Sequence, residues 1–396
     1  MDLDKEDLLE SLLRYNYFPL QHKDKEEIPP ILTSEYLTRE IFNKLNNIEQ
    51  LRKDGYDQVE YRFTRYNNVS RLLSIPHPLP YVKLCRSLYD NWEELKYIMQ
   101  TKNSLIILRK HNDRRIIIMN YDETLKKTIN RHVELSFKKK FYVHTDISNF
   151  YPSIYSHSIP WALVGINKAK KERCPKKYFN EIDKYQRLMK RNETNGIPIG
   201  PATSNIVAEL ILARIDETLD KEGFVFIRFI DDYKGYCNTY EEGEKFILRL
   251  SEELSKYKLL LNIQKTIIGE LPSPTTPEWI ADLVTRLPDK DHITYANIIH
   301  FLDYALIKQN ITPDGSILKY AVKTLINNVK DIEDKVTKLL LLEYTLNLCL
   351  KHPILLPLLD TLIEKIKFSQ QDLELITKQL SDIVNEHAIN RRSDAM

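Results

Sequence analysis

Three aspartates stand where carboxylates are least expected. Asp146 closes the apolar run of KKFYVHTDISNFYPSI, and Asp231 and Asp232 sit side by side in FVFIRFIDDYKGYC. An acid pair inside an apolar hairpin carries both mutual repulsion and a desolvation cost, and a cation offsets both. Mg²⁺ takes oxygen ligands and keeps several of its waters, so two or three carboxylates suffice to hold it. Two such ions about 4 Å apart would clamp the attacking and leaving oxygens of a nucleotidyl transfer. An isolated Asp-Asp is an ordinary turn signal. The flanks FIRFI and YKGY set this one apart.

These carboxylates need elements to position them. A strand from Lys140 to Thr145 would deliver Asp146, and Phe224 to Ile230 with Lys234 to Cys237 would form a hairpin with the acid pair at its bend. From Pro201 to Asp220 the apolar period is helical, as it is from Glu241 to Leu259. Gly196, Pro198 and Gly200 precede the first of these helices, where close backbone approach and a helix N-terminus suit a nucleotide or template backbone. Ser204 and Asn205 would either cap that helix or face the site.

Upstream, Ser104 to Leu108 and Arg115 to Met119 read as a hairpin with a basic tip. Arg109, Arg114 and Arg115 there would grip a triphosphate or form an exposed basic turn. Arg71 to Leu84 reads as an extended, proline-punctuated turn leading into a helix from about Tyr81 to Gln100. The first sixty residues look helical, with Leu8, Leu9, Leu12 and Leu13 at helical spacing and a second helix from about Ser34 to Arg52. A helical stretch after Asp146 runs to about Ala169 and overlaps the basic run KAKKERCPKK, Lys168 to Lys177. That run is either a solvated face or a track for a nucleic-acid backbone. Beyond about Asp291 the pattern is almost wholly helical, as in a bundle or a helical-repeat domain.

Composition narrows the class without naming it. The 396 residues suffice for two or three domains, and Lys+Arg 58 against Asp+Glu 56 leaves a net charge of +2. Any nucleic-acid surface must therefore be local, with the acids segregated elsewhere. Cys85, Cys174, Cys237 and Cys349 lie far apart with no CxxC, so neither a zinc site nor a disulfide framework is in view. The start, MDLDKEDLLE, lacks a basic n-region and an apolar run, and no stretch approaches the roughly 20 apolar residues of a membrane span. The expectation is a cytoplasmic protein without membrane attachment.

The order of these segments resembles the fingers and palm of reverse transcriptases. Strand–Asp146–helix looks like their motif A, GIPIGPATSNIVAE (Gly196 to Glu209) like motif B, FIDD (Phe229 to Asp232) like motif C and LNIQKT (Leu261 to Thr266) like motif D. Arg71 to Pro78 resembles the fingers segment of the bacterial enzymes. The likeness covers about residues 60 to 285. DISNFYPSIYSHSIPWAL and GIPIGPATSNIVAEL further resemble bacterial abortive-infection, or defence-associated, reverse transcriptases, which carry a helical C-terminal region.

The resemblance implies an α+β fold: right-hand polymerase fingers and palm on an antiparallel sheet, then an all-helical C-terminal domain. Its boundaries would be a helical extension over 1–60, fingers and palm over 61–285 and the helical domain over 286–396. It implies two Mg²⁺ ions, with Mn²⁺ as an alternative, on Asp146, Asp231 and Asp232 and the backbone carbonyl of Ile147. Lys265 would serve the departing pyrophosphate as a motif D lysine. Tyr151 would sit beneath the sugar of the incoming nucleotide and exclude a 2′-OH, favouring dNTPs. Gly196, Pro198, Gly200, Arg71, Arg114 and Arg115 complete the expected substrate-binding set. Many relatives carry Gln between that Pro and Gly, whereas this chain carries Ile199, which removes a polar contact to the nucleotide.

The expected activity is thus an RNA-directed DNA polymerase-like nucleotidyl transfer, acting in anti-phage defence. Priming from a protein hydroxyl without a template, leaving DNA covalently attached, stands beside copying an RNA or DNA template. The rivals are a retron-type enzyme with a dedicated RNA, and a catalytically silent phage-sensing module. His157 reads as a satisfied polar residue, since two-metal chemistry requires no histidine. The helical C-terminus offers a surface for homo-oligomerisation or for product.

Overall fold

The computed structural model describes residues 3–18, 21–22, 25–26, 32–65, 69–106, 108–110, 121–289, 293–313, 316–328, 332 and 334–395. The chain forms two compact units. One takes in residues 1–21, 30–60 and 74–275, and the other residues 22–29, 61–73 and 276–396.

The first unit is built on a four-stranded antiparallel sheet. Its strands are β1 (Phe141–Asp146), β2 (Phe226–Phe229), β3 (Asp232–Cys237) and β4 (Ile267–Glu270), in the order β2–β3–β1–β4. Side chains alternate between the two faces of a strand. On β1 and β3, Val143, Thr145, Tyr233 and Gly235 therefore share one face, which α1 (Tyr240–Lys256) covers. Gly235 is glycine for a reason: a Cβ there would lie 2.9 Å from the Phe246 ring. The opposite face carries Tyr142, His144 and Asp146 beside Tyr236, Lys234 and Asp232. The sheet is thus apolar towards the helix and polar on its other side.

Around this sheet a single apolar cluster gathers helices from much of the unit. It includes Leu8, Leu9 and Leu12 near the start and Ile206, Leu210, Ile211 and Ile215 of the long helix Ala202–Lys221. That helix is buried along most of its length, which explains its weak amphipathic pattern.

The second unit is all-helical over residues 276–395, with helices Glu278–Thr285, Tyr295–Ile311, Ile317–Asn327, Lys335–Lys351, Leu356–Glu364 and Gln370–Ile389 among its elements. Its own apolar cluster runs from Leu283 to Ile383. Asp334 caps one helix through the amides of Val336 and Thr337, and Ser369 with Asp372 forms a capping box on the last. The strand Val59–Thr64 pairs with the strand Ser70–Ile75, and Thr64 Oγ1 donates to Asp394 Oδ2 at 2.6 Å.

The α+β class and the helical C-terminal region agree with the sequence reading; several local expectations do not. Ser104 forms a single parallel bridge to Arg228 in place of a hairpin strand, because the amide of Leu105 and the carbonyl of Asn103 already pair with the edge of β2. The partner strand Arg115 to Met119 lies outside the described residues. Pro78 and Pro80 open a helix, Pro78–Asp90, and do not hold an extended turn. First-turn amides have no helical partner to lose, so proline is at home there, and His77 Nδ1 accepts from the Leu79 amide. The second helix near the start is only Arg39–Asn46.

Candidate active site

Asp146 is the last residue of β1 and lies directly opposite Asp232, the first residue of β3. Phe229 also pairs with Asp232, so Ile230 and Asp231 form the bend of a tight hairpin. The amide of Ile147 donates to the carbonyl of Asp231 at 3.2 Å, which ties the two acidic segments together through their backbones. On the other side, the amide of Asn262 donates to the carbonyl of Asp146 at 2.7 Å. The short 3₁₀ turn Ile263–Lys265 follows, and Lys265 Nζ ion-pairs with Asp146 Oδ2. Asp146, Ile147, Asp231, Asp232 and Lys265 are therefore one constellation, assembled from segments more than a hundred residues apart in places.

Its electrostatics are those of a crowded, half-dry acid cluster. Burial, then the Asp146 charge, then that of Asp232, push the Asp231 carboxyl up to about 7. Burial and Asp146 raise Asp232 as well, while His144 and Lys265 pull it back. Lys265 is raised, chiefly by its hydrogen bond to Asp146. Asp146 itself is buried, and its Oδ1 has no hydrogen-bond donor among the described residues. A buried carboxylate oxygen without a donor is costly.

A divalent cation is a fitting occupant on those grounds: hard oxygen donors, excess negative charge and one unpartnered oxygen. Among the described residues no three acidic, histidine or cysteine side chains already converge as a finished ligand set. Lys265 takes one of the Asp146 oxygens that an ion would use.

The bend is held by a network that the sequence reading did not single out. Arg228, on β2, is fully buried. Its Nη1 and Nη2 reach Glu209 Oε1 and Oε2 at 2.8 and 2.9 Å, and its Nε reaches Asp216 Oδ2 at 2.9 Å. Burial works against the Arg228 charge, and Asp216 and Glu209 overcome it. Nη1 also donates to the carbonyl of Ile230 at 2.9 Å. Ile230 has φ 55°, a conformation that β-branched residues rarely adopt. The guanidinium thus clamps a strained residue that sets the direction of Asp231. The available signals were an arginine inside the apolar FVFIRFI and two acids seven residues apart on a buried helix.

Tyr151 joins the site from the turn after β1. Its hydroxyl donates to Asn205 Oδ1 at 2.6 Å, and its carbonyl accepts from the Ile197 amide at 3.0 Å. Asn205 therefore faces the Tyr151 side, while Ser204 is fully buried and its Oγ has no partner among the described residues. The loop Gly196–Gly200 is stitched to the Tyr151 turn and, through the carbonyl of Ile199, to the amide of Ser74 at 2.8 Å. Gly196 has φ 81°, and a Cβ there would lie 2.9 Å from the Pro152 carbonyl oxygen. Pro198 is buried and Gly200 half-buried in the same loop.

Over residues 74–304, more than half of the chain, the sequence matches the family model described as reverse transcriptase (RNA-dependent DNA polymerase). The chain belongs to the reverse transcriptase family.

The constellation just described lies wholly within the matched reverse transcriptase segment. No curated protein matches the chain by sequence. Among solved structures, apo telomerase from Candida tropicalis truncated from its C-terminal domain is 13% identical, with a TM-score of 0.39 over 60% of this chain and 57% of that one. Telomerase from Candida albicans, in complex with a fragment of telomeric RNA, is 11% identical, with a TM-score of 0.37 over 92% of this chain and 69% of that one. At such scores the superpositions add nothing to the family assignment.

Arg71 lies on the strand Ser70–Ile75 and belongs to the second unit. Arg109 sits on an irregular segment, and Arg114 and Arg115 lie outside the described residues. His157 is an ordinary satisfied histidine: its Nδ1 meets Asp183 Oδ2 at 2.9 Å. Among the described residues, no helix is long and apolar enough to cross a membrane.

Proposed function

We propose that this reverse transcriptase adds dNTPs to a hydroxyl by two-metal nucleotidyl transfer at Asp146, Asp231 and Asp232. The observation that carries the reading is the buried, unpartnered Asp146 Oδ1 opposite Asp232 and beside Asp231, in a family of nucleotidyl transferases. Asp146, Asp231 and Asp232, with the Ile147 carbonyl, would hold two Mg²⁺ ions or, alternatively, Mn²⁺. Such ions, when bound, neutralise developing charge and activate the attacking oxygen. In the reaction a hydroxyl oxygen bonds to the α-phosphorus, the bond to the β-phosphate oxygen breaks, and pyrophosphate leaves. Lys265, held protonated by Asp146, supplies positive charge or a proton to that leaving group.

Residues beyond the carboxylates set what enters. Tyr151, pinned by Asn205, is a rigid ring suited to excluding a 2′-OH. The Gly196–Gly200 loop ahead of the helix Ala202–Lys221 offers its backbone to the nucleotide or template, with Pro198 stiffening it. Among the arginines, Arg71, Arg114 and Arg115 are the proposed triphosphate contacts.

The finer assignment rests on sequence motifs alone. DISNFYPSIYSHSIPWAL and GIPIGPATSNIVAEL support a role in anti-phage defence by abortive infection, with protein-primed synthesis as one mode. The polymerase reading is checked by incubating the protein with each labelled dNTP and Mg²⁺, with and without added template. Product sequencing and protease treatment then separate templated extension from DNA attached to the protein. Absence of incorporation with any template or primer sinks the reading.

A further inference from the structure

Within the first unit, away from the carboxylates, lies an open cleft with a cavity of about 890 Å³. Its cationic lining comes from three separate stretches of chain: Arg52 and Lys53, Lys170 and Arg173, and Lys184 and Arg187. Glu49 and Asp183 are the acids of the lining. Arg52, Lys53, Lys170, Arg173 and Lys184 make no ion pair among the described residues. In a chain of net charge +2, six cations against two acids on one concave surface make a segregated positive field.

Aromatic faces line the same cleft. Tyr155 packs against Trp161 with ring centroids 5.6 Å apart and against His157 edge-on at 5.1 Å. The rings are half-buried. Lys170 Nζ lies 5.9 Å from the Trp161 ring centroid. The wall is also braced from within. Asp183 is buried and takes hydrogen bonds from Arg187 Nε at 3.3 Å and contacts His157 Nδ1 at 2.9 Å, which fixes both side chains. Asn180 Nδ2 donates to the carbonyls of Glu172 and Cys174 at 2.8 Å, pinning the loop that carries Arg173.

We infer that this cleft is a second nucleic-acid site that binds a single-stranded polynucleotide, its phosphates on the cations and its bases on Trp161 and Tyr155. Cations spread over three chain segments suit a string of phosphates better than one compact anion. Aromatic rings between them suit unpaired bases, whose faces are hidden inside a duplex. This also gives a role to part of the basic run Lys168–Lys177. None of Asp146, Asp231, Asp232 and Lys265 lines the cleft, so the site does not depend on the polymerase reading.

The test uses the full chain in EDTA and a labelled, 3′-blocked oligonucleotide of about 20 nucleotides, as DNA and as RNA, with the matching duplex as comparison. Single strands should bind more tightly than duplex; a preference between DNA and RNA identifies the source. The double variant Lys170→Glu, Lys184→Glu should weaken binding by at least about tenfold and flatten the salt dependence by about 1.4 in log–log slope. Trp161→Ala should weaken it by roughly fivefold or more. Ultraviolet cross-linking of the wild type, mapped by mass spectrometry, should mark Trp161 or Tyr155, and it decides the matter if a variant misfolds. Wild-type affinity in both folded variants, or cross-links confined to other regions, overturns the assignment. Asp231→Asn should retain this binding, which separates its failure from failure of the catalytic reading.

Discussion

Asp146 faces Asp232 across neighbouring antiparallel strands, as direct partners in the register. Like charges so placed repel, and Asp231 at the adjoining bend adds a third. The fold accepts this repulsion where an ordinary sheet would avoid it.

Removing one charge should therefore stabilise the metal-free protein. The Asp231 carboxyl is raised from its ordinary value of 3.8 to about 7, so the folded state holds its proton more tightly than the unfolded chain. That contribution is fully present below about pH 4 and is lost as pH rises through about 7. In EDTA, Asp231→Asn should melt above the wild type at pH 8, with the gap narrowing towards pH 5. Thermal melts at the two pH values check this; an Asn variant less stable at pH 8 contradicts it.

The clamp on the bend should matter for stability as much as for activity. Arg228→Met leaves Glu209 and Asp216 buried without their cation, a loss on the order of 3–5 kcal/mol. Urea unfolding measures it. Arg228→Lys should also be poorly tolerated, since an ammonium cannot serve Glu209, Asp216 and the Ile230 carbonyl in the same fork.

The sheet, the hairpin and the Asp146–Asp231–Asp232 grouping were legible because each leaves a local mark: an apolar run ending in an acid, or an acid pair at a bend. Lys265 was legible through its motif, though its ion pair with Asp146 was not. The Arg228–Glu209–Asp216 network was missed because its members are scattered along the chain and charged residues usually signal surface. Ser104 misled for a related reason. Its apolar neighbours look strand-like, and only tertiary pairing with β2 shows that the segment contributes one bridge.

Lys265→Ala should lower kcat for dNTP addition by about a hundredfold with little change in KM, as expected for a group acting on the leaving pyrophosphate. Lys265→Arg keeps the charge near Asp146 and should recover part of the loss. Single-turnover incorporation distinguishes the two. Equal kcat in wild type and Ala removes Lys265 from the mechanism.

Sugar choice should follow the Tyr151 ring and not its hydroxyl. Tyr151→Phe gives up the bond to Asn205 and should keep most of the preference for dNTPs. Tyr151→Ala opens the space and should narrow the dNTP-to-NTP ratio of kcat/KM by roughly a hundredfold. Competition assays with dCTP and CTP read the ratio directly. An unchanged ratio in the Ala variant contradicts the placement of Tyr151 under the sugar.

The central claim is that Asp146, Asp231 and Asp232 hold the cations for nucleotidyl transfer. The direct measurement is Mg²⁺-dependent incorporation of a labelled dNTP by the wild type, Asp146→Asn and Asp231→Asn, each confirmed as folded by its melt. The account predicts that either substitution lowers the rate by at least about a thousandfold, and that EDTA abolishes wild-type activity. Wild-type incorporation by a folded Asp231→Asn protein would contradict it.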